Sequence, residues 1–200
     1  CIRDRSLHGS ASNKLAYAYN IRNWIESISS GGLFNISLYY GYNGNVSRMV
    51  CRCPGDNKTY GYNFAYDNLS RLTSAQSLIG GVITLGYATN YSYDKNGNLL
   101  HLRRGGQTGL SGTGIIDNLS FTLNGNQLKS VNDDATATAS NGFEFKDGAK
   151  LATEYMYDAN GSLIKDLNKG IEIQYNLLNL PVRSVSQMEV PSLILMVRME

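Results

Sequence analysis

The sequence predicts an all-β chain of stacked antiparallel β-hairpins forming an open, curved sheet. Three observations carry that reading. Apolar and polar residues alternate over many short stretches with the two-residue period of a half-buried strand. Tyrosine, which favours a pleated surface, occurs 14 times against five Phe and one Trp. Asn and Gly, 21 of each against three Pro, are the residues that accept positive φ in tight turns.

The turns and aromatic strands recur as one unit. Its clearest copies are Tyr91-Ser92-Tyr93-Asp94-Lys95-Asn96-Gly97-Asn98-Leu99 and Tyr155-Met156-Tyr157-Asp158-Ala159-Asn160-Gly161-Ser162-Leu163. Phe64-Ala65-Tyr66-Asp67-Asn68-Leu69-Ser70-Arg71-Leu72 keeps the frame with Ser70 in place of Gly. Near the start, Tyr17-Ala18-Tyr19-Asn20-Ile21-Arg22-Asn23-Trp24-Ile25 fits with Asn20 for Asp and Asn23 for Gly. Weaker copies are Tyr42 to Val46, Phe121 to Leu128 through Asn124-Gly125-Asn126, and Ile173 to Pro181 through Tyr175.

Each part of the unit has a physical role. Two aromatics at i and i+2 share one face of a strand. The Asp or Asn that follows bonds backbone two residues on and starts a turn. Gly97, Gly161 or Gly125 then supplies the left-handed position of a short hairpin. Leu99 or Leu163, two residues later, opens the return strand. One such hairpin is marginal in water, whereas copies that cover each other's edges and faces are stable. The predicted partners are therefore flanking repeats of a parent chain.

Between copies, Arg104 to Gly114 reads as a flexible glycine-rich loop and Asn132 to Gly142 as a small polar connection. Asn20 to Ser29 has a helix-like look but overlaps a good copy, so strand is expected there.

Composition excludes several classes. With 42% hydrophobic and 17% charged residues the chain is not a disordered one. A net charge of +2 without a concentrated basic face gives no reason to expect nucleic acid as a partner. No stretch approaches the roughly 20 apolar residues of a membrane span. The opening Cys1-Ile2-Arg3-Asp4-Arg5 is polar and lacks Met, which suggests an internal piece of a longer protein. A mature lipoprotein starting at a lipidated Cys1 is the alternative.

Chemistry is sparse. Asp67, Asp94 and Asp158 occupy one repeated turn position, and a catalytic site built once would not recur at every turn. His8 and His101 stand outside any motif, and there is no Gly-x-Ser-x-Gly elbow or phosphate loop. Cys51-Arg52-Cys53 places two thiols on one strand face, short of the four ligands of a structural metal site. No catalytic residue, metal or cofactor is assigned, and the chain is expected not to be an enzyme. Tyr and Asn also line sugar-binding surfaces, so cell-surface adhesion or carbohydrate binding is the second reading.

These motifs, Tyr-x-Tyr-Asp-x-Asn-Gly-x-Leu above all, resemble the YD repeat of bacterial RHS (rearrangement hotspot) proteins over about residues 10–185. Tyr19 to Trp24 and Tyr175 to Pro181 look like the same family. The resemblance implies a ribbon of hairpins winding into a hollow shell, secreted or at the bacterial cell surface, that encloses a C-terminal toxin domain. The family's self-cleaving core segment contains an Asp-Pro pair, which this sequence lacks, so self-cleavage does not carry over.

The repeat array is thus assigned to residues 1–185, and residues 186–200 are expected to be an out-of-frame or disordered tail. Shifting the reading frame there, so that each codon starts at the last base of the old one, permits Asp-Gly-Ser-Thr-Ile-Thr-Tyr-Leu-Tyr-Gly-x-Asn-Gly. That is a further copy of the unit. The nucleotide sequence checks it: the shifted frame should encode Tyr-x-Tyr, and codons that forbid it would remove the idea.

Overall fold

The computed structural model describes residues 2–6, 14–30, 32–53, 55, 58–110, 112–140 and 142–186. The expectations for Cys1, His8 and residues 187–200 fall outside the described residues. Ser186 itself still belongs to a strand.

Every regular element among the described residues is a strand. They are β1 (Ile2–Ser6), β2 (Lys14–Tyr19), β3 (Ile25–Ser30), β4 (Phe34–Tyr40), β5 (Val46–Arg52), β6 (Thr59–Tyr66), β7 (Leu72–Ile79) and β8 (Val82–Tyr93). Then come β9 (Leu99–Gln107), β10 (Thr113–Asn124), β11 (Gln127–Asp133), β12 (Tyr155–Tyr157), β13 (Leu163–Asp166), β14 (Ile171–Tyr175) and β15 (Pro181–Ser186). Each strand hydrogen-bonds its chain neighbour, β1 to β11 in one ladder and β12 to β15 in another. Neither ladder closes on itself among the described residues. This order follows from the sequence, because every connection within a ladder is a hairpin and hairpins join neighbours.

Two compact units divide the chain, residues 1–91 with 104–114, and residues 92–103 with 115–200. In the first unit the buried apolar side chains are Ala75 and Leu78 of β7, joined by buried Ser77 and Ser30. The Ser77 hydroxyl bonds the Thr84 carbonyl at 2.7 Å, which satisfies a polar group inside the sheet. Tyr40 and Tyr66 are half-buried here, each with its hydroxyl on a backbone carbonyl, whereas Tyr39 and Tyr42 are exposed. Tyr62 and Phe64, at i and i+2 of β6, stack at 6.0 Å between centroids.

The stretch from Arg104 to Gly114 departs from the expected flexible loop. Arg104–Gln107 end β9 and Thr113–Gly114 begin β10, so only residues 108–112 connect them. Gly105 and Gly106 are buried. A Cβ on Gly105 would stand 2.6 Å from the Gly86 carbonyl oxygen, so glycine permits a close strand approach here rather than a bend.

In the second unit Ile116 and Leu119 of β10 and Val131 of β11 form the apolar core, with Ala139 from the connection after β11. That connection runs to residue 154 and is longer than the polar linker expected from Asn132 to Gly142. It has no strand among its described residues, and side-chain carboxylates satisfy part of its backbone. Asp117 Oδ1 accepts from the Phe145 amide at 2.7 Å. Asp133 Oδ1 accepts from the Asn118 and Ala135 amides, both at 2.9 Å. Glu154, 1% exposed, accepts from the Val131 amide at 2.9 Å and from Asn168 Nδ2 at 2.7 Å.

A buried strand glycine makes the ladder testable. A Cβ on Gly61 of β6 would meet the Met49 carbonyl oxygen of β5 at 2.3 Å, a backbone atom that cannot step aside. Gly61→Ala should destabilise the chain by roughly 1–3 kcal/mol, the usual range for overpacking. Denaturant unfolding followed by circular dichroism measures it, and no change in midpoint would contradict the register.

Candidate functional site: the corner and tyrosine ladder

The repeated motif folds into one local structure. In every copy but Phe121 to Leu128 the amide of the first corner residue donates to the carbonyl of the fifth: Asn20 to Trp24 at 3.0 Å, Asp67 to Arg71 at 3.0 Å, Asp94 to Asn98 at 2.9 Å. Asp158 to Ser162 and Asn176 to Leu180 do the same, both at 3.0 Å. The amide of the fourth residue returns to the carbonyl of the first, as in Ser70 to Asp67 at 3.0 Å and Gly97 to Asp94 at 3.3 Å. The fourth residue has positive φ throughout: Asn23 59°, Gly44 90°, Ser70 61°, Gly97 92°, Gly161 83°, Asn179 56°. This is a type I turn closed by a left-handed residue, which leaves a bulge in the pairing. The bulge falls just before the last strand residue, so that Tyr19 opposes Ile25, Tyr66 opposes Leu72, and Tyr157 opposes Leu163.

The side chain at the first position completes the corner. Asp67 Oδ1 accepts from the Leu69 and Arg71 amides at 2.9 Å each. Asp158 Oδ1 accepts from Asn160 and Ser162, and Asn176 Oδ1 from Leu178 and Leu180, all between 2.8 and 3.0 Å. Asn20 does the same for Arg22 and Trp24. The Arg71 amide, with the Arg71 guanidinium and the Leu69 amide, holds the Asp67 carboxyl below the usual range. The Asn98 side-chain amide, with the Asn98 and neighbouring backbone amides, does so for Asp94. One corner departs. At Gly41 to Asn45 there is no side chain in the first position, and Asn43 Oδ1 bonds the Asn45 amide at 3.2 Å instead.

The tyrosine just before a corner binds the neighbouring hairpin. The Tyr40 hydroxyl donates to the Ile25 carbonyl at 2.6 Å, and Tyr66 to Val46 at 2.8 Å. In the second unit Tyr157 donates to Leu128 at 3.0 Å and Tyr175 to Leu163 at 2.9 Å. Ile25, Val46 and Leu163 each open a return strand, and Leu128 is second in β11. Backbone pairing between these hairpins stops earlier: β5 with β6 ends at Arg48↔Asn63, and β13 with β14 at Lys165↔Glu172. The hydroxyl therefore joins strands where the corners have spread them beyond backbone reach. Burial pushes the phenols of Tyr66 and Tyr157 up, and an accepting carbonyl requires the protonated form.

The other sequence-selected residues lie in the same two ladders. Tyr17, Tyr91, Tyr93 and Tyr155 are half-buried in strands, and Leu99 and Leu163 open β9 and β13. Gly125 differs. It has φ 61° in a two-residue Gly125-Asn126 turn between Asn124 and Gln127, the arrangement that takes glycine at the first central position. It is not the fourth residue of a corner. Sequence reasoning missed Tyr40, because its corner lacks the Asp, and Glu154, because no spacing marks it. Corners also meet one another. Trp24 packs against Gly44, where a Cβ would lie 3.1 Å from its ring, and the Arg22 guanidinium lies 5.1 Å from the Trp24 ring centroid. Beside them is a hollow of about 490 Å³ edged by Glu26, Tyr39 and Tyr42.

Corners and tyrosine hydroxyls together make an array of corner-closed antiparallel β-hairpins. Solved toxin-complex chains share the fold. The chain matches the crystal structure of TcdB2-TccC3-Cdc42 with a TM-score of 0.59 at 15% identity, over 94% of this chain and 11% of that one. The Photorhabdus luminescens Tc holotoxin pore with a TccC3 mutation gives 0.54 at 13% identity, over 92% and 11%. TcdB2-TccC3-TEV gives 0.55 at 13% identity, again over 92% and 11%. The chain thus spans about a tenth of the length of these solved chains. No family model and no curated protein sequence matches it.

Three outcomes follow for the ladder. Tyr66→Phe removes one staple and should cost about 0.5–1.5 kcal/mol. Ser70→Gly relieves a left-handed serine and should stabilise by roughly 0.5–1 kcal/mol after glycine's entropy is subtracted. Both are read from denaturant midpoints. The phenols raised in the fold favour the protonated state, so their contribution is full below about pH 10 and falls as pH rises through the folded values. The lowered Asp67 and Asp94 act in the opposite sense, contributing above about pH 4 and losing that as pH falls through their folded values. Stability against pH should therefore fall at both extremes, with Tyr66→Phe flattening the alkaline limb.

Proposed function

We propose that the chain is a section of wall: a non-catalytic scaffold within an RHS-type shell that encloses a C-terminal toxin or effector in a secreted or surface bacterial protein. The observation that carries the reading is the tyrosine staple, which makes each hairpin's completeness depend on the one before it. The carboxylates support it, since Asp67, Asp94 and Asp158 direct their oxygens to the amides of their own corners. The toxin-complex chains of the same fold support the shell and its cargo by analogy. No helix among the described residues is long and apolar enough to cross a membrane.

Enclosure is tested in the intact parent protein by limited proteolysis. The segment C-terminal to the repeat array should be cleaved far more slowly there than when expressed alone, and equal rates would overturn enclosure.

A second reading, adhesion through carbohydrate, is favoured by the hollow beside Trp24, where Tyr39 is 53% exposed and Tyr42 fully so. Exposed rings of this kind can stack on sugar faces. A glycan array on the parent protein decides it: Tyr42→Ala should abolish any binding seen, and no binding at high protein concentration would remove the reading.

A further inference from the structure

Cys51 and Cys53 lie two residues apart at the end of β5, so both side chains leave one face of the strand. Their Sγ atoms are 3.8 Å from each other. Cys51 is half-buried, paired with Ile36 of β4 on one side and Tyr60 of β6 on the other. Cys53, just past the strand, is exposed. One thiol open to solvent beside one held by the sheet is the arrangement of an attacking and a resolving thiol.

We propose that Cys51 and Cys53 form a reversible internal dithiol–disulfide couple, oxidised by a low-molecular-weight disulfide of the glutathione class. The Cys53 thiolate attacks one sulfur of the oxidant, forming a mixed disulfide and releasing one equivalent of the reduced thiol. Cys51 then gives up its proton and attacks Cys53 Sγ, and the second equivalent leaves. Two protein thiols and one small disulfide become one protein disulfide and two small thiols, and excess reduced thiol reverses both steps. Burial, then the neighbouring Cys53, pushes the Cys51 thiol up, which leaves Cys53 as the first nucleophile.

The strand fixes the character of the bond. Alternate residues of an extended strand have Cα atoms about 6.6 Å apart, near the top of the roughly 4.4–6.8 Å that a disulfide spans. Closing the sulfurs from 3.8 Å to about 2.05 Å must draw the strand end together next to the Arg52↔Thr59 pair. A bond strained in this way is readily reduced, unlike a structural disulfide.

Arg52 provides the assay, because trypsin cleaves after Arg48, Arg52 and Lys58 and so parts the two cysteines unless a bond joins them. The full chain carrying Cys1→Ser keeps only this pair of cysteines. It is equilibrated with oxidised glutathione, quenched in acid, digested and weighed by mass spectrometry. The expected product is peptide 49–52 linked to peptide 53–58 with no glutathione retained, restored to two thiols by a tenfold excess of reduced glutathione. With Cys51→Ser added, glutathione should stay on Cys53. Equal retention of glutathione with and without Cys51 would overturn the proposal. So would linkage found only between two copies on a non-reducing gel, or a bond that the reduced thiol fails to open.

Discussion

The hydrogen bond from the tyrosine before a corner to the first residues of the previous return strand is the constraint on which the array depends. Each corner inserts a left-handed residue and a bulge, and the bulge ends the regular ladder early. Without a further link the corner ends of neighbouring hairpins would splay. Tyr40, Tyr66, Tyr157 and Tyr175 supply that link, because a phenol is long enough to cross the gap and carries a donor at its tip. Phenylalanine would fill the space and leave a carbonyl unpaired. The recurrence of tyrosine at this one position, rather than any aromatic, has this cause.

Stability in such a chain is spread thinly. Buried apolar side chains are few and scattered among the described residues, from Ala75 and Leu78 in one unit to Ile116, Leu119 and Val131 in the other. Order comes from many corners and hydroxyl links, each worth about a kilocalorie per mole. Nearest-neighbour dependence of this kind is the property of a repeat array, which extends by repetition and needs no single large core.

The second unit solves a different problem. Where the hairpin rhythm lapses between β11 and β12, the Asp134 and Glu154 amides still reach strand carbonyls, and carboxylates accept the Ala135, Phe145 and Leu151 amides. Glu154 holds β11, its own loop and the turn at Asn168 together, and Asn168 passes the link on to the Ala149 amide at 3.0 Å. An unpaired acid in that position would be costly, and it is tolerated because each oxygen has a donor.

The sequence alone determined the hairpins. Asp-x-Asn-Gly encodes a corner locally, since the carboxylate, the turn and the left-handed residue all lie within five positions. Tyr-x-Tyr marks the strand by its period. Tertiary structure decided what those strands do to each other. Which carbonyl each hydroxyl reaches, the use of Gly61 and Gly105 for close strand approach, and the burial of Glu154 all depend on atoms contributed by distant segments. The degenerate corner at Gly41 and the two-residue turn at Gly125 belong with them. There the local signal is weak or ambiguous, and pairing with the neighbouring strands selects the geometry.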